Sequence, residues 1–217
     1  MSLSIALTKG RLEKKTVAML DQVGYGTQNL KDKGRALVFE DTIKPVRYFL
    51  VKSNDVITYV NHGVADIGVV GKDTLLERES ENYELLDLKI GKCKFCVASL
   101  PDKKVFNKVG HVKIGTKYPN VARKYFLDQG IDVEVIKIDG SVELAPILGL
   151  ADGIVDIVET GTTLKENGLV ILDEVCDISA RVIVNKASFK LKREEVLQFV
   201  QDLESVVKSD ADTNQEK

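Results

Sequence analysis

Short apolar runs alternate with segments of helical period along almost the whole chain, and this alternation narrows the fold more than any other feature. Residues 4–7, 48–51, 67–70, 112–115, 133–138 and 154–158 are too short for helices and read as strands. Further extended runs are expected at 35–39, 85–88, 95–100, 169–175 and 178–184, with 24–34 as a loop. Leu12, Thr16, Met19, Leu20 and Val23 mark one helical face that Gly24 ends. Helices are also expected over 53–62, 72–76, 120–129, 142–150 and 162–166. Ser53 or Asn54 would cap the first of these and Gly63 would stop it. A last helix is expected from about 190 to 207, with Val196, Phe199, Val200, Leu203, Val206 and Val207 facing inward. The polar segment 209–217 is expected to fray. Strands alternating with helices specify an α/β fold with mainly parallel sheets.

A chain of 217 residues makes one large domain or two small ones. Lys and Arg number 31 against 33 Asp and Glu, a balance that excludes a general nucleic-acid binder. There is no Trp, so a base-stacking platform is poorly supplied. No apolar run approaches the roughly 20 residues of a membrane span. The start, MSLSIALTKGR, lacks a basic segment and an apolar stretch for export, so a cytoplasmic location is expected. Cys93 and Cys96 form one CxxC, but it lies in a strand-like segment, where residues three apart face opposite sides. With Cys176 they read as buried thiols rather than a redox or zinc site. His62 and His111 are too few for a His-based triad.

Three segments carry chemistry. In the first, Asp156-Ile157-Val158-Glu159-Thr160-Gly161-Thr162-Thr163-Leu164, a strand ends in a carboxylate and a hydroxyl-rich turn opens a helix. Backbone N–H groups at such a turn attract phosphate, Thr hydroxyls add donors, and carboxylates just upstream can accept from ribose hydroxyls. A helix capped by Thr with no ligand fits the same residues equally well. In the second, Thr8-Lys9-Gly10-Arg11-Leu12, two cations flank a glycine after a strand, where open α/β sheets bind ligands; solvated loop charge is the alternative. The third is Gly71-Lys72-Asp73-Thr74, in which Asp73 is a helix cap or a contact to a nucleoside. No P-loop and no G-x-G-x-x-G is present. Gly63-x-x-Asp66-Ile67-x-x-x-Gly71 recurs 90 residues later as Gly153-x-x-Asp156-Ile157-x-x-x-Gly161, which suggests two similarly built lobes.

Together these segments resemble the catalytic subunit of the ATP phosphoribosyltransferase family. The resemblance also takes in Asp55-Val56-x-Thr58-Tyr59-Val60 with Gly63-Val64-Ala65-Asp66-Ile67-Gly68, and Glu143-x5-Gly149, and it runs from about Ser4 to Val207. It implies a two-lobed, periplasmic-binding-protein-like (type II) fold with a two-stranded hinge and a central cleft. The first lobe would be 1–91 with 179–217, and the second, binding phosphoribosyl pyrophosphate, 92–178. The likeness is to the short form, which lacks a histidine-binding domain. That form works as a homodimer with a regulatory subunit resembling histidyl-tRNA synthetase, in a hetero-octamer, so histidine is not expected to bind this chain directly.

The implied reaction condenses ATP with 5-phosphoribosyl 1-pyrophosphate to N1-(5-phosphoribosyl)-ATP and pyrophosphate, the first step of histidine biosynthesis. By the same resemblance Lys9, Arg11 and Lys52 are catalytic cations. Asp156, Glu159, Thr160, Gly161, Thr162 and Thr163 bind phosphoribosyl pyrophosphate, and Arg35, Gly71, Asp73, Thr74 and Glu143 bind ATP. Mg2+ is carried by the substrate, near Asp156 or Glu159, rather than held by the protein alone. Two positions depart from the family: Lys52 stands where Arg is common, and Ile57 where Pro is. Lys keeps the charge at 52 but loses the planar fork. Two rival readings remain at this level, a non-catalytic ligand-binding lobe pair and a phosphoribosyltransferase acting on a free base.

Overall fold

The computed structural model describes residues 2–32, 34–78, 80–103, 105–106 and 111–215. The chain groups into two compact units, one of Met1–Leu75, Glu79–Gly91 and Ser179–Lys217, the other of Leu76–Arg78 and Lys92–Ile178. From its start the chain forms β1 (Leu3–Thr8), α1 (Arg11–Gln22), α2 (Gln28–Lys31), β2 (Val38–Glu40), β3 (Val46–Val51), α3 (Ser53–Asn61), β4 (Ile67–Gly71), α4 (Lys72–Glu77) and β5 (Tyr83–Asp87). The second unit adds β6 (Cys93–Ser99), β7 (Val112–Thr116), α5 (Pro119–Asp128), β8 (Val133–Lys137), α6 (Leu144–Ile147), β9 (Gly153–Val158), α7 (Thr162–Glu166) and β10 (Val170–Ile178). The chain then returns to the first unit as β11 (Ala180–Val184), α8 (Lys186–Leu191) and α9 (Arg193–Gln215).

The sheets are ordered β2-β3-β1-β4-β11-β5 and β10-β6-β9-β7-β8. They share a plan. In the first, β1 runs parallel to both β3 and β4, and β11 lies antiparallel on β4. In the second, β7 runs parallel to both β8 and β9, and β6 lies antiparallel on β9. The central strands are buried on both faces, as parallel strands covered by helices must be. Ile5, Leu7, Ile67 and Val69 enter one core with Leu20, Phe199 and Leu203, whereas Ala6, Phe49 and Val70 enter another with Val56, Ile57 and Val60. A side chain at Gly68 would meet Val56 Cγ1 at 2.6 Å, so α3 packs directly on the strand backbone. In the second unit Phe95, Ile114, Phe126 and Val155 form one core, and Ala98, Ala145, Ile154 and Leu164 the other.

One contact recurs in both sheets. The Asp66 N–H donates to the Ser4 carbonyl at 2.8 Å, and the Asp66 carboxylate accepts the Ser4 N–H at 2.8 Å. The Asp152 N–H likewise donates to the Lys113 carbonyl at 2.7 Å, and its carboxylate accepts the Lys113 N–H at 2.9 Å. Each aspartate closes a matching tetrapeptide, Gly63-Val64-Ala65-Asp66 or Gly149-Leu150-Ala151-Asp152. Both glycines are left-handed, with φ of +68° and +74°. The internal repeat is therefore present but four residues out of step with the expected alignment, which matched Asp-Ile to Asp-Ile. Asp66 precedes β4 and is buried, whereas Asp156 lies within β9 and is half-buried.

Other expectations change for local reasons. The helix expected over 142–150 shrinks to α6, because Pro146 lacks the N–H that a helix begun at Val142 would donate to its first carbonyl. The Lys52 carbonyl, rather than Ser53 or Asn54, opens α3, accepting the Asp55 N–H at 2.9 Å. The strand expected at 35–39 is reduced to β2, and the loop at 24–34 contains α2. The final helix is preceded by α8, which the Asn185 side chain caps by accepting the Ala187 and Ser188 N–H groups at 2.9 and 3.0 Å. Val196, Phe199, Leu203 and Val206 of α9 are buried as their spacing predicts. The tail expected to fray is helical as far as Gln215; Glu216 and Lys217 lie outside the described residues.

The Asp66 carboxylate also accepts from Ser188 Oγ and Lys192 Nζ, each at 2.7 Å. Removing it leaves three donors without this acceptor, and breaking a buried pair of this kind costs about 3–5 kcal/mol. Asp66→Ala is expected at the lower end, because Lys192 keeps some solvent access. Scanning calorimetry should find the unfolding midpoint lowered by roughly 6–12 °C. A midpoint within about 2 °C of the parent would contradict the assignment.

Candidate active site

The parallel strands β3, β1 and β4 end at one edge of the first sheet, and the polar residues singled out from the sequence follow those ends. Lys9 follows β1, and its N–H donates to the Val51 carbonyl at 2.9 Å, continuing the strand pairing into the loop. Gly10, at φ +102°, then turns the chain into α1. Its N–H donates to the buried Glu13 carboxylate at 3.2 Å. Arg11 is exposed at the first position of α1, and Lys52 is exposed just after β3. Arg35 precedes β2 and lines a cavity of about 430 Å3 with Lys9, Gly10, Glu13 and Leu50. Two of the expected cations thus meet at one cavity.

At the end of β4, a Cβ on Gly71 would lie 2.1 Å from Asp73 Oδ1, so the Asp73 carboxylate lies against the Gly71 backbone. Thr74 is buried, with its hydroxyl 3.4 Å from Asp73 Oδ2. Lys72, the cation of this segment, pairs with Glu84 at 2.6 Å.

In the second unit the equivalent edge is the C-terminal end of β7, β8 and β9. Asp156 is half-buried in β9, opposite Cys96 of β6. Burial pushes its carboxyl above the ordinary carboxylate range, the Glu143 carboxylate adds to the rise, and the Ile157 N–H and the Lys117 ammonium oppose it. Glu143 stands at the start of α6, within electrostatic reach of Asp156. The resemblance grouped Glu143 with Arg35, Gly71, Asp73 and Thr74, but those four belong to the first unit and Glu143 to the second.

Glu159 and Thr160 are exposed beyond β9. Gly161 takes the left-handed conformation, φ +76°, and is the N-cap of α7. The N-cap of α7 is thus Gly161, not the threonine that the ligand-free alternative supposed. The Thr160 and Thr162 hydroxyls lie 3.0 Å apart, and the Thr162 N–H is 3.4 Å from Thr160 Oγ1. α7 has only five residues, so any attraction for an anion rests on the turn's own N–H and hydroxyl groups rather than on a helix dipole.

Lys117 was not singled out from the sequence. The signal that finds it is the repeated Thr-Lys pair closing the central parallel strand of each sheet, Thr8-Lys9 after β1 and Thr116-Lys117 after β7. The structure makes the two threonines equivalent: Thr8 Oγ1 donates to the Val69 carbonyl at 2.8 Å, and Thr116 Oγ1 to the Val155 carbonyl at 2.6 Å. The cysteines offer no rival site. All three are free thiols, Cys96 is buried in β6, and burial pushes its thiol up, away from the reactive thiolate.

The HisG family model, described as ATP phosphoribosyltransferase, matches residues 52–205. An ATP phosphoribosyltransferase of Clostridium acetobutylicum is 58% identical over 210 residues, covering 97% of this chain and 98% of its own length. The chain belongs to the ATP phosphoribosyltransferase family. Its activity is that of a pentosyltransferase joining ATP to a phosphoribosyl group, the first step of histidine biosynthesis. A solved ATP phosphoribosyl transferase (HisG:HisZ) complex from Thermotoga maritima matches with a TM-score of 0.79 and 39% identity, over 95% of this chain and 99% of that one. The periplasmic aliphatic sulphonate binding protein SsuA from Escherichia coli matches with a TM-score of 0.61 at 9% identity, over 99% of this chain and 75% of that one, a likeness of fold alone. The fold is that of the type II periplasmic binding proteins, and membership of the ATP phosphoribosyltransferase family removes both rival readings of the sequence. No helix among the described residues is long and apolar enough to cross a membrane.

Asp156 carries a cost to stability at neutral pH. Its charge is less favourable in the folded than in the unfolded chain, so its contribution to stability falls as pH rises from the ordinary value of 3.8 through the raised one. Asp156→Asn is expected to melt higher than the parent at neutral pH, with the gap closing as pH falls to 3.8 and below. Melting curves across that range check it; a variant that melts lower than the parent at neutral pH would show that the carboxylate serves folding.

Proposed function

We propose that the two strand-end clusters divide the substrates between them, with the nucleotide on the first unit and phosphoribosyl pyrophosphate on the second. The observation that carries this is the exposed Thr160–Thr163 turn, left-handed at Gly161 and placed just after Asp156 and Glu159. Its N–H and hydroxyl groups suit the 5-phosphate, and the two carboxylates suit the ribose hydroxyls or the metal ion that accompanies the pyrophosphate. Thr163 and Thr162 supply hydroxyls at the head of α7, and Thr160 supplies one from the turn.

In the reaction so read, adenine N1 attacks the sugar C1; the N1–C1 bond forms as the bond from C1 to the pyrophosphate oxygen breaks. N1 carries no proton, so no general base is required. The transition state spreads positive charge over the sugar and negative charge over the leaving group. Positioning and electrostatic stabilisation supply the acceleration. Both substrates are polyanions and the chain carries a formal charge of -2, so cations must be gathered locally. Lys9 and Arg35 at their shared cavity, with Arg11 and Lys52 on neighbouring loops, are the groups for that task. Asp73 and Thr74 after Gly71 are suited to orient the nucleoside, and Glu143 of the second unit acts within electrostatic reach of Asp156.

Mg2+ enters this reading with the pyrophosphate, whose leaving it would ease by neutralising charge. Among the described residues no three His, Cys, Asp or Glu side chains gather into a metal-binding group. In this reading Asp156 and Glu159 would complete the shell of an ion that the substrate brings. The HisG:HisZ complex of Thermotoga maritima supports a second chain type as partner. By the family resemblance that partner is a regulatory subunit akin to histidyl-tRNA synthetase, assembled with homodimers of this chain in a hetero-octamer in the cytoplasm.

The deciding experiment is pyrophosphate release by the purified chain, with and without the regulatory partner, omitting Mg2+, ATP and phosphoribosyl pyrophosphate in turn. Release should need all three; release without ATP would sink the reading. Thr162→Ala combined with Thr163→Ala should raise the KM for phosphoribosyl pyrophosphate tenfold or more, from the loss of two donors each contributing about 1 kcal/mol, and leave the KM for ATP nearly unchanged. An unmoved phosphoribosyl pyrophosphate KM would remove the turn from the site.

A further inference from the structure

The two units present the same short device at the same place. A parallel strand ends in Thr, whose hydroxyl donates to a carbonyl of the neighbouring parallel strand, and the next residue is Lys. In the first unit that lysine is Lys9, and it lines a cavity with Arg35. In the second it is Lys117. The register Thr116↔Val155 sets Lys117 beside the β9 segment that carries Asp156 and runs into the Thr160–Thr163 turn. The Tyr118 N–H donates to Thr116 Oγ1 at 2.9 Å, and the Tyr118 ring packs edge-on against Phe95 at 4.8 Å between centroids, so the backbone on either side of Lys117 is held.

The Lys117 side chain itself is exposed and makes no hydrogen bond or ion pair among the described residues. This distinguishes it from Lys113 and Lys137 in the adjoining strands β7 and β8, which pair with Glu134 at 3.5 Å and Asp139 at 3.6 Å. Its ammonium favours the charge of Asp156, which the Glu143 carboxylate disfavours. A substrate carrying a 5-phosphate and a pyrophosphate would have to approach these two carboxylates. A cation at this strand end is the group that lets it do so.

We infer that Lys117 binds an oxyanion of phosphoribosyl pyrophosphate, as the second unit's counterpart of Lys9. This rests on reading the β9–α7 turn as the phosphoribosyl site and names a further substrate-binding residue for it. Two consequences follow. Lys117 eases the burial of the Asp156 charge, and it turns to the phosphate when substrate arrives. Its contribution to folding is confined to that interaction, which at an exposed side chain is too weak to move the melting midpoint measurably.

The test measures phosphoribosyl pyrophosphate binding by titration calorimetry with Mg2+ for the parent chain, Lys117→Met, Lys117→Arg and the Thr162→Ala, Thr163→Ala double variant, with melting curves for each. Lys117→Met should weaken binding at least tenfold with its melting midpoint unchanged. Lys117→Arg, which keeps the charge, should stay within threefold of the parent. ATP binding should be the same in all four. If the double variant weakens binding and Lys117→Met does not, the inference about Lys117 fails and the reading of the turn stands. If neither weakens binding, the reading of the turn fails as well. If Lys117→Met melts lower, or Lys117→Arg binds as poorly as Lys117→Met, the role of the residue is structural or steric and the inference is overturned.

Discussion

Each sheet depends on an aspartate that ties the starts of two neighbouring parallel strands, β4 to β1 in the first and β9 to β7 in the second. Parallel strands have no hairpin between them, so no turn sets their register. Asp66 and Asp152 do that work by exchanging two hydrogen bonds with the backbone of Ser4 and Lys113. Once the strands are aligned at one end, their other ends are aligned too. Thr8-Lys9 then falls beside the chain that leads to Gly71 and Asp73, and Thr116-Lys117 beside the chain that leads to Asp156 and the Thr160–Thr163 turn. A one-residue slip would turn every side chain to the opposite face and scatter these groups.

Glycine serves the same end by a different route. At Gly68 and Gly115 a Cβ would come within 3.0 Å of side chains on the covering segments, Val56 in one case and Ala145 in the other. The covering helix can approach the strand only because nothing stands between. Val56 lies in α3, which starts just after Lys52, and Ala145 lies in α6, which starts just after Glu143. Close packing in the middle of each unit therefore positions the polar residues at its edge.

The charges at these edges are arranged locally, not globally. The chain as a whole is slightly acidic, yet Lys9 and Arg35 meet at one cavity, and Lys117 is the cation that opposes the paired influence of burial and Glu143 on Asp156. A half-buried carboxylate with a raised proton affinity costs stability at neutral pH, and Lys117 reduces that cost.

The strands and most helices are legible in the sequence, because apolar spacing reports directly on burial: Ile5, Leu7, Val69, Phe199 and Leu203 are core residues by period alone. The turn at Thr160–Thr163 is legible too, since its chemistry is written in adjacent residues. What misled was local ambiguity. Asp-Ile occurs twice, and only the hydrogen bonds of Asp66 and Asp152 show which aspartates correspond. Pro146 keeps α6 from starting at Val142, and the meeting of Lys9 with Arg35 joins residues far apart in the chain. The sequence by itself determined the α/β class and the family, because these follow from period and from contiguous motifs. Only the tertiary structure decided that Lys117 and Glu143 stand within electrostatic reach of Asp156, because strand register and long-range packing set those neighbours and neither leaves a local trace.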